Sequence, residues 1–350
     1  MRFNLACMPE KRLSGKKVAV IGSGPAGLVA ASYLGCSGAE VDIYDKLPEP
    51  GGLLLFAIPS SRIDVKKVRD GVEELQKSYN INFVGHTKVV SSKKSVDEGD
   101  EFVRSEIGLD ELVDRYHAVL ISTGAWRSRS LGIRGEEYNN VFKALDILFR
   151  IKAYELGYLD RSSVPELSGK KVAVVGAGLS AVDAAMEALK LKASRVYMLY
   201  RRTIKEAPAG EKEIMRLISM GVLWVDLVIP TEIVGSGGFV KSVRLVKCKL
   251  GEPDESGRPR PIPIEGSDFE LDVDVVINCI GEVPTPPVAD GELGIRLGRD
   301  GRILVNELRE TTRKGVYAAG DVVLGPSRIG LAIKDGLIAG RSIGNYLINI

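Results

Sequence analysis

Two stretches of this chain have the residue types and spacing to cradle a phosphate, and they are nearly copies of one another. Gly22-Ser23-Gly24-Pro25-Ala26-Gly27 follows the apolar run Val18–Ile21, and Gly176-Ala177-Gly178-Leu179-Ser180-Ala181 follows Val172–Val175. A Gly-Lys-Lys triplet precedes each run, at Gly15 and again at Gly169. In such a unit the first glycine makes a tight turn and the second lets backbone approach a pyrophosphate. The third small residue lets the following helix pack closely on the strand. The helix start then offers free N–H groups and partial positive charge to the anion. Two copies in one chain imply two dinucleotides, and two dinucleotides imply electron transfer between them.

The residues after the next strand differ in sign. After Val41–Tyr44 stands Asp45, placed to accept hydrogen bonds from an adenosine ribose. After Arg195–Leu199 come Tyr200, Arg201 and Arg202. A carboxylate there would repel a 2′-phosphate, whereas two guanidiniums can hold it bidentately. The remaining chemistry is sparse. Cys7, Cys36, Cys248 and Cys279 form no Cys-x-x-Cys pair and read as buried or inert thiols. A cluster of four thiolates is not available, and with only His86 and His117 no metal site is expected. Hydride transfer between bound cofactors asks the protein for orientation and electrostatics, so no catalytic side chain is expected either.

The elements that must position these residues fit an α/β protein of two Rossmann-like domains. The chain has 350 residues, enough for two domains, with 45% hydrophobic and 27% charged residues. A net charge of +2 makes neither nucleic acid nor membrane a default partner. No apolar run approaches the roughly 18 residues of a bilayer span. The start of the chain lacks the apolar core of a signal peptide, so the cytoplasm is the expected compartment. Residues 1–14 read as a basic arm. Strands are expected at Lys17–Ile21, Val41–Tyr44 and Asn82–Val90, with helices at Pro25–Leu34 and Ile63–Ser78. Ser91–Asp100 reads as a hairpin turn with Phe102–Ile107 returning, before a buried strand that ends in Thr123-Gly124. A helix over Phe142–Leu156 precedes the second unit. Leu223–Ile229 and a Thr231–Leu250 hairpin read as antiparallel strands, and Gly251–Gly266 as loop. The strand Val273–Ile280 ends in Gly281 much as its counterpart ends in Gly124. A last strand closes on Gly320-Asp321, and Gly330–Ile348 is the final helix.

Taken together, the chain resembles the glutamate synthase small-subunit family of FAD/NADPH oxidoreductases, which are two-dinucleotide-domain flavoproteins. The matching stretches include Gly22–Gly27, Lys46–Leu54, Ile58–Arg62, Ser122–Trp126, Val174–Gly178, Tyr200–Arg202, Gly251–Gly257 and Ala318–Pro326, across residues 15–350. The resemblance implies FAD on the first fingerprint, with Gly22, Gly24 and Gly27 at the pyrophosphate and Asp45 at the ribose. It places Gly52, Leu53 and Arg62 near the flavin and Asp321 at the ribityl or pyrophosphate end. A helix beginning after Ser327, at Ile329, would face the flavin's pyrimidine edge. It implies NADPH on the second fingerprint through Gly176, Gly178 and Ala181, with Arg201 and Arg202 on the 2′-phosphate. Ser23, Pro25, Ala26, Lys46, Thr123, Gly124, Leu179, Ser180, Gly281 and Gly320 complete the expected contacts.

The domains implied are 1–130 with 285–350 for FAD, and 131–284, inserted between them, for NAD(P)H. The family's N-terminal iron–sulfur domain corresponds here to a short stretch with Cys7 alone. Electrons are therefore expected to leave for a partner, either an iron–sulfur subunit or a carrier such as ferredoxin. Alternatives are a stand-alone ferredoxin–NADP reductase, a disulfide reductase, for which paired cysteines are lacking, and a non-catalytic FAD-binding assembly subunit.

Overall fold

The computed structural model describes residues 1–350 apart from Pro9, Lys93, Lys94, Glu255 and Ser256. The expected turn at Ser91–Asp100, the Gly251–Gly257 motif and the N-terminal arm each lie partly outside the described residues for that reason. The chain divides into two compact units, Met1–Arg127 with Glu282–Ile350, and Ser128–Gly281.

The first unit is built on a five-stranded sheet in the order Val316–Ala318, Ala118–Ile121, Lys17–Ile21, Glu40–Tyr44, Ile81–Val84. Every pairing is parallel. Val18, Ala19, Val20 and Ile21 are all buried, as an unbroken apolar strand covered on both faces must be. Ala19 and Ile21 join a core with Leu109, Leu112, Ile295 and Ile303, and by strand alternation Val18 and Val20 point the other way. The fingerprint helix Pro25–Cys36 packs on the final helix Ile329–Ile348. Small residues make that contact close: a Cβ on Gly336 would stand 2.2 Å from the Ala26 carbonyl oxygen, and one on Gly340 would stand 3.2 Å from Ala30 Cα.

Several expectations for this unit need correction. The run Asn82–Val90 is two strands, Ile81–Val84 and Thr87–Val90, broken at His86, whose φ is 56°. The return strand Ser105–Gly108 pairs with Thr87–Val90 in parallel, so the segment between them crosses over and is not a hairpin. The N-terminal arm buries Phe3 and Leu13, and Cys7 is disulfide-bonded to Cys36, so these two are not inert thiols. Cys248 and Cys279 are buried and not disulfide-bonded.

The second unit repeats the plan, with parallel strands in the order Leu223–Val225, Arg195–Leu199, Lys171–Val175, Val275–Asn278, Val141–Lys143. Two further corrections follow. Phe142 lies in the outer strand, and the helix starts only at Ala144. Leu223–Val225 belongs to the parallel sheet and not to the hairpin. The helix Glu211–Ser219, which buries Ile214 and Leu217, has no counterpart in the sequence reading.

The hairpin Val228–Ser236 and Phe239–Pro253 grows into an antiparallel sheet with Pro259–Pro263 and Phe269–Asp272. Pro259–Pro263 reads as loop because of its prolines. It forms a strand only at the sheet edge, where alternate missing N–H groups cost no ladder bond. Ile233, Val240, Val243 and Leu245 of this sheet pack on Ala173, Val175 and Leu199.

Candidate nucleotide-binding sites

The first fingerprint turn is held from behind by sterics. Gly22 has φ 97°, and a Cβ there would sit 2.5 Å from the Ser122 carbonyl oxygen. A Cβ on Gly27 would lie 2.1 Å from the Gly22 carbonyl oxygen, so Gly27 serves the packing of helix on strand. Gly24 meets nothing within 4 Å, and it is the glycine whose backbone stands open to a ligand. Gly52, with φ 53°, approaches it so closely that a Cβ would come within 2.9 Å of Gly24 Cα.

Two cavities open on this turn. They share Gly22, Asp45, Thr123 and Trp126 and so form one elongated cleft within the first unit. Lys46 lines the first cavity. Gly24, Pro25, Ala26, Gly52, Leu53, Gly124, Gly320, Asp321 and Ile329 line the second.

Asp45 is buried, and the turn uses it. Its Oδ2 accepts from Ser23 N at 2.6 Å and Ser23 Oγ at 2.5 Å, and its Oδ1 accepts from Leu47 N at 2.9 Å. Ser23 is fully buried and lines neither cavity. It braces the turn against the Asp45 carboxylate. Arg62 lines neither cavity.

The far end of the first cavity holds a cluster the sequence reading did not isolate. Lys46 Nζ donates to the Glu98 carbonyl at 2.6 Å and to Asp100 Oδ1 at 3.1 Å, and it lies 4.5 Å from the Trp126 ring centre. Burial pushes its pKa down against the pull of Asp100 and Asp97. Lys88 joins the same carboxylates, and Arg127 donates to Asp97 at 2.5 Å. Burial pushes the Asp97 carboxyl up, but Lys46, Arg127 and Lys88 outweigh it and hold the pKa low. The residues of this cluster are scattered in sequence, so no local motif announces it.

At the other end, Gly320 takes φ 79° and donates its N–H to Asp335 Oδ2 at 2.8 Å. Asp335 is itself buried and bonded to Arg309. The adjoining Asp321 accepts from Ser327 Oγ at 2.6 Å, and burial raises its pKa against that bond. The helix Ile329–Ile348 starts at this cavity with no side-chain cap on its first N–H groups. It presents them and its partial positive charge to whatever lies there. The uncapped helix N–H groups and the open Gly24 backbone, both lining this cavity, fit a dinucleotide such as FAD.

In the second unit Gly176 has φ 129° and would clash at 2.4 Å with the Cys279 carbonyl oxygen if it carried a Cβ, while Gly178 is open. Ala181 is fully buried under the helix Leu179–Lys190, Leu179 is exposed, and Ser180 is partly so. A side chain at Gly281, which has φ 108°, would meet nothing within 4 Å. Strand register sets Leu199 beside Val175, so the segment after Leu199 emerges next to this turn. Arg201 is exposed there, but Arg202 is 1% exposed. Its Nη2 donates to Asp254 and its Nε to the Pro259 carbonyl, each at 2.7 Å. The paired guanidiniums expected at a 2′-phosphate are therefore split, and only Arg201 is presented. Among the described residues no His, Cys, Asp and Glu group could hold a metal ion.

The pyridine nucleotide-disulphide oxidoreductase family matches residues 16–336. The β-subunit of the NADP(+)-dependent formate dehydrogenase of Moorella thermoacetica is 38% identical over 95% of this chain and 44% of its own length. The glutamate synthase [NADPH] small chain of Azospirillum brasilense is 34% identical over 97% of this chain and 68% of its own. This chain thus spans less than half of the first relative. Among solved structures, Mycobacterium tuberculosis FprA in complex with NADPH superposes with a TM-score of 0.74 at 20% identity, over 95% of this chain and 85% of that one. At that identity the likeness is one of fold.

Proposed function

Because the chain belongs to the pyridine nucleotide-disulphide oxidoreductase family, and within it to the glutamate synthase small chains, we propose that it is an NADPH-dependent FAD oxidoreductase. It takes hydride from NADPH and passes the electrons to a partner protein. One observation carries the assignment of the two nucleotides. Two five-stranded parallel sheets carry the same glycine turn after their central strand, yet an acidic residue follows the neighbouring strand of one and an exposed arginine that of the other. Asp45 suits a ribose, and Arg201 suits a 2′-phosphate.

Bound FAD would supply the two-electron acceptor that takes hydride and gives the electrons up again. The chain's own residues do the rest. Gly24 and the start of the fingerprint helix hold the pyrophosphate, and Asp45 orients the adenosine end while Ser23 fixes Asp45. The first turn of Ile329–Ile348 favours negative charge at the opposite end of the cleft. Asp321, its carboxyl pushed up by burial, is held beside the cleft by the Ser327 hydroxyl.

The electron acceptor is an iron–sulfur subunit or a soluble carrier of the ferredoxin type. The named relatives above are a β-subunit and a small chain, parts of larger enzymes. A disulfide reductase is disfavoured. The one disulfide, Cys7–Cys36, sits at the far end of a 12-residue helix, about 18 Å from the phosphate turn. Anaerobic addition of NADPH tests the reading: the purified yellow protein should bleach, and NADH should be markedly less effective. Unchanged absorbance would leave FAD a structural role, and a colourless chain that refuses added flavin would end the proposal.

A further inference from the structure

Arg202 presents a problem of chemistry. A guanidinium never sheds its charge, and burying it without a counter-charge is costly. Here the side chain is 1% exposed, and Asp254, reached across the edge of the antiparallel sheet, supplies the counter-charge. The neighbouring backbone is held from the same sheet. Val228 N donates to the Tyr200 carbonyl at 3.2 Å, and Cys248 Sγ donates to the Arg201 carbonyl at 3.4 Å. Three successive residues, Tyr200, Arg201 and Arg202, are thus gripped by one sheet. Downstream, Thr203 and Glu206 close a capping box, and Ala209 N donates to the Ala177 carbonyl inside the second fingerprint at 3.0 Å. The segment is fixed at both ends, and its exposed Arg201 side chain is what the nucleotide site receives.

We infer that Asp254 is a specificity-positioning residue. By holding Arg202 in the wall it sets the backbone from which Arg201 selects 2′-phosphorylated adenosine. Neither Asp254 nor Arg202 touches the ligand; both act through Arg201. The inference rests on the reading that the second fingerprint takes NADPH, and its test needs no turnover.

Calorimetry would compare 2′,5′-ADP with 5′-AMP on the FAD-loaded protein. Wild type should prefer 2′,5′-ADP. Asp254→Ala and Arg202→Ala should each cut that preference roughly tenfold, the worth of a charge-assisted hydrogen bond, and leave 5′-AMP affinity unchanged. The double variant should lose no more than either single one, because the pair acts as a unit. Asp254→Asn keeps the shape and one acceptor, and it should fall between wild type and Asp254→Ala. It also serves as the probe if Asp254→Ala does not fold. An unchanged preference in a folded Asp254 variant overturns the inference. So does a raised preference, which would make Arg202 a phosphate ligand that Asp254 withholds. A wild type that binds both ligands equally overturns the NADPH reading itself, and so is distinct from either result.

Discussion

At the residue scale, the site depends on carboxylates that the sequence assigns to ligands and the fold also employs itself. Asp45 is legible from its place after the second strand, but its bonds to Ser23 are not, because Ser23 reads as part of the phosphate turn. Asp45→Ala should take the acceptor from the Ser23 and Leu47 backbone N–H groups and from the Ser23 hydroxyl, costing at least about 2 kcal/mol of stability in denaturant unfolding as well as FAD affinity. If the apoprotein keeps its stability, the brace is not structural.

Asp321 gives a pH signature. Its folded pKa is raised, so the native state binds its proton more readily than the unfolded chain does. That contribution is fully present below the unfolded carboxyl range and is lost as pH rises through the higher folded value. In the apoprotein, wild type compared with Asp321→Asn should therefore lose relative stability on moving up from the ordinary carboxyl range. A pH-independent difference would contradict the shift. Arg202 marks the limit of reading residues from sequence. Two adjacent arginines look equivalent as letters, and only the distant Asp254 makes one structural.

At the element scale, both parallel sheets and both fingerprint helices are legible because unbroken apolar runs followed by glycine turns leave little alternative. The errors fall where one residue or a distant partner decides. His86, at positive φ, splits a strand that alternation makes continuous. Phe142 looks helical until Val276 and Ile277 pair with its strand. Prolines mask the edge strand Pro259–Pro263. The contact between Pro25–Cys36 and Ile329–Ile348 yields a graded prediction. Gly336→Ala places a methyl group against the Ala26 carbonyl at the pyrophosphate turn and should cost about 2 kcal/mol. Flavin content should fall with it. Gly340→Ala, with more room, should cost less in the same thermal melts. Equal effects would show that the helices adjust and that the turn is not set by their spacing.

At the scale of the whole molecule, the duplication extends from motif to topology. The outer strand of the first sheet comes from near the chain's end, and that of the second from just before its fingerprint. The N-terminal arm was the least legible part, since no spacing rule links Cys7 to Cys36. That bond closes a separation of 29 residues, and Cys7→Ser should lower stability by about 3 kcal/mol in unfolding without reductant. The rate at which NADPH bleaches the protein should not change, because the bond lies at the far end of the helix from the phosphate turn. A reductant that leaves the wild-type melt unmoved would argue against the bond.

The entry and exit of the inserted unit lie side by side, with Arg129 N donating to the Gly281 carbonyl at 2.9 Å. Its sheet is complete once Asn278 has been made, whereas the surrounding unit awaits Val316–Ala318 to pair with Ala118–Ile121. During synthesis the guest can therefore close while its host is still half-translated. The excised piece 128–281 should fold by itself as a monodisperse, protease-resistant module, and residues 1–127 alone should not.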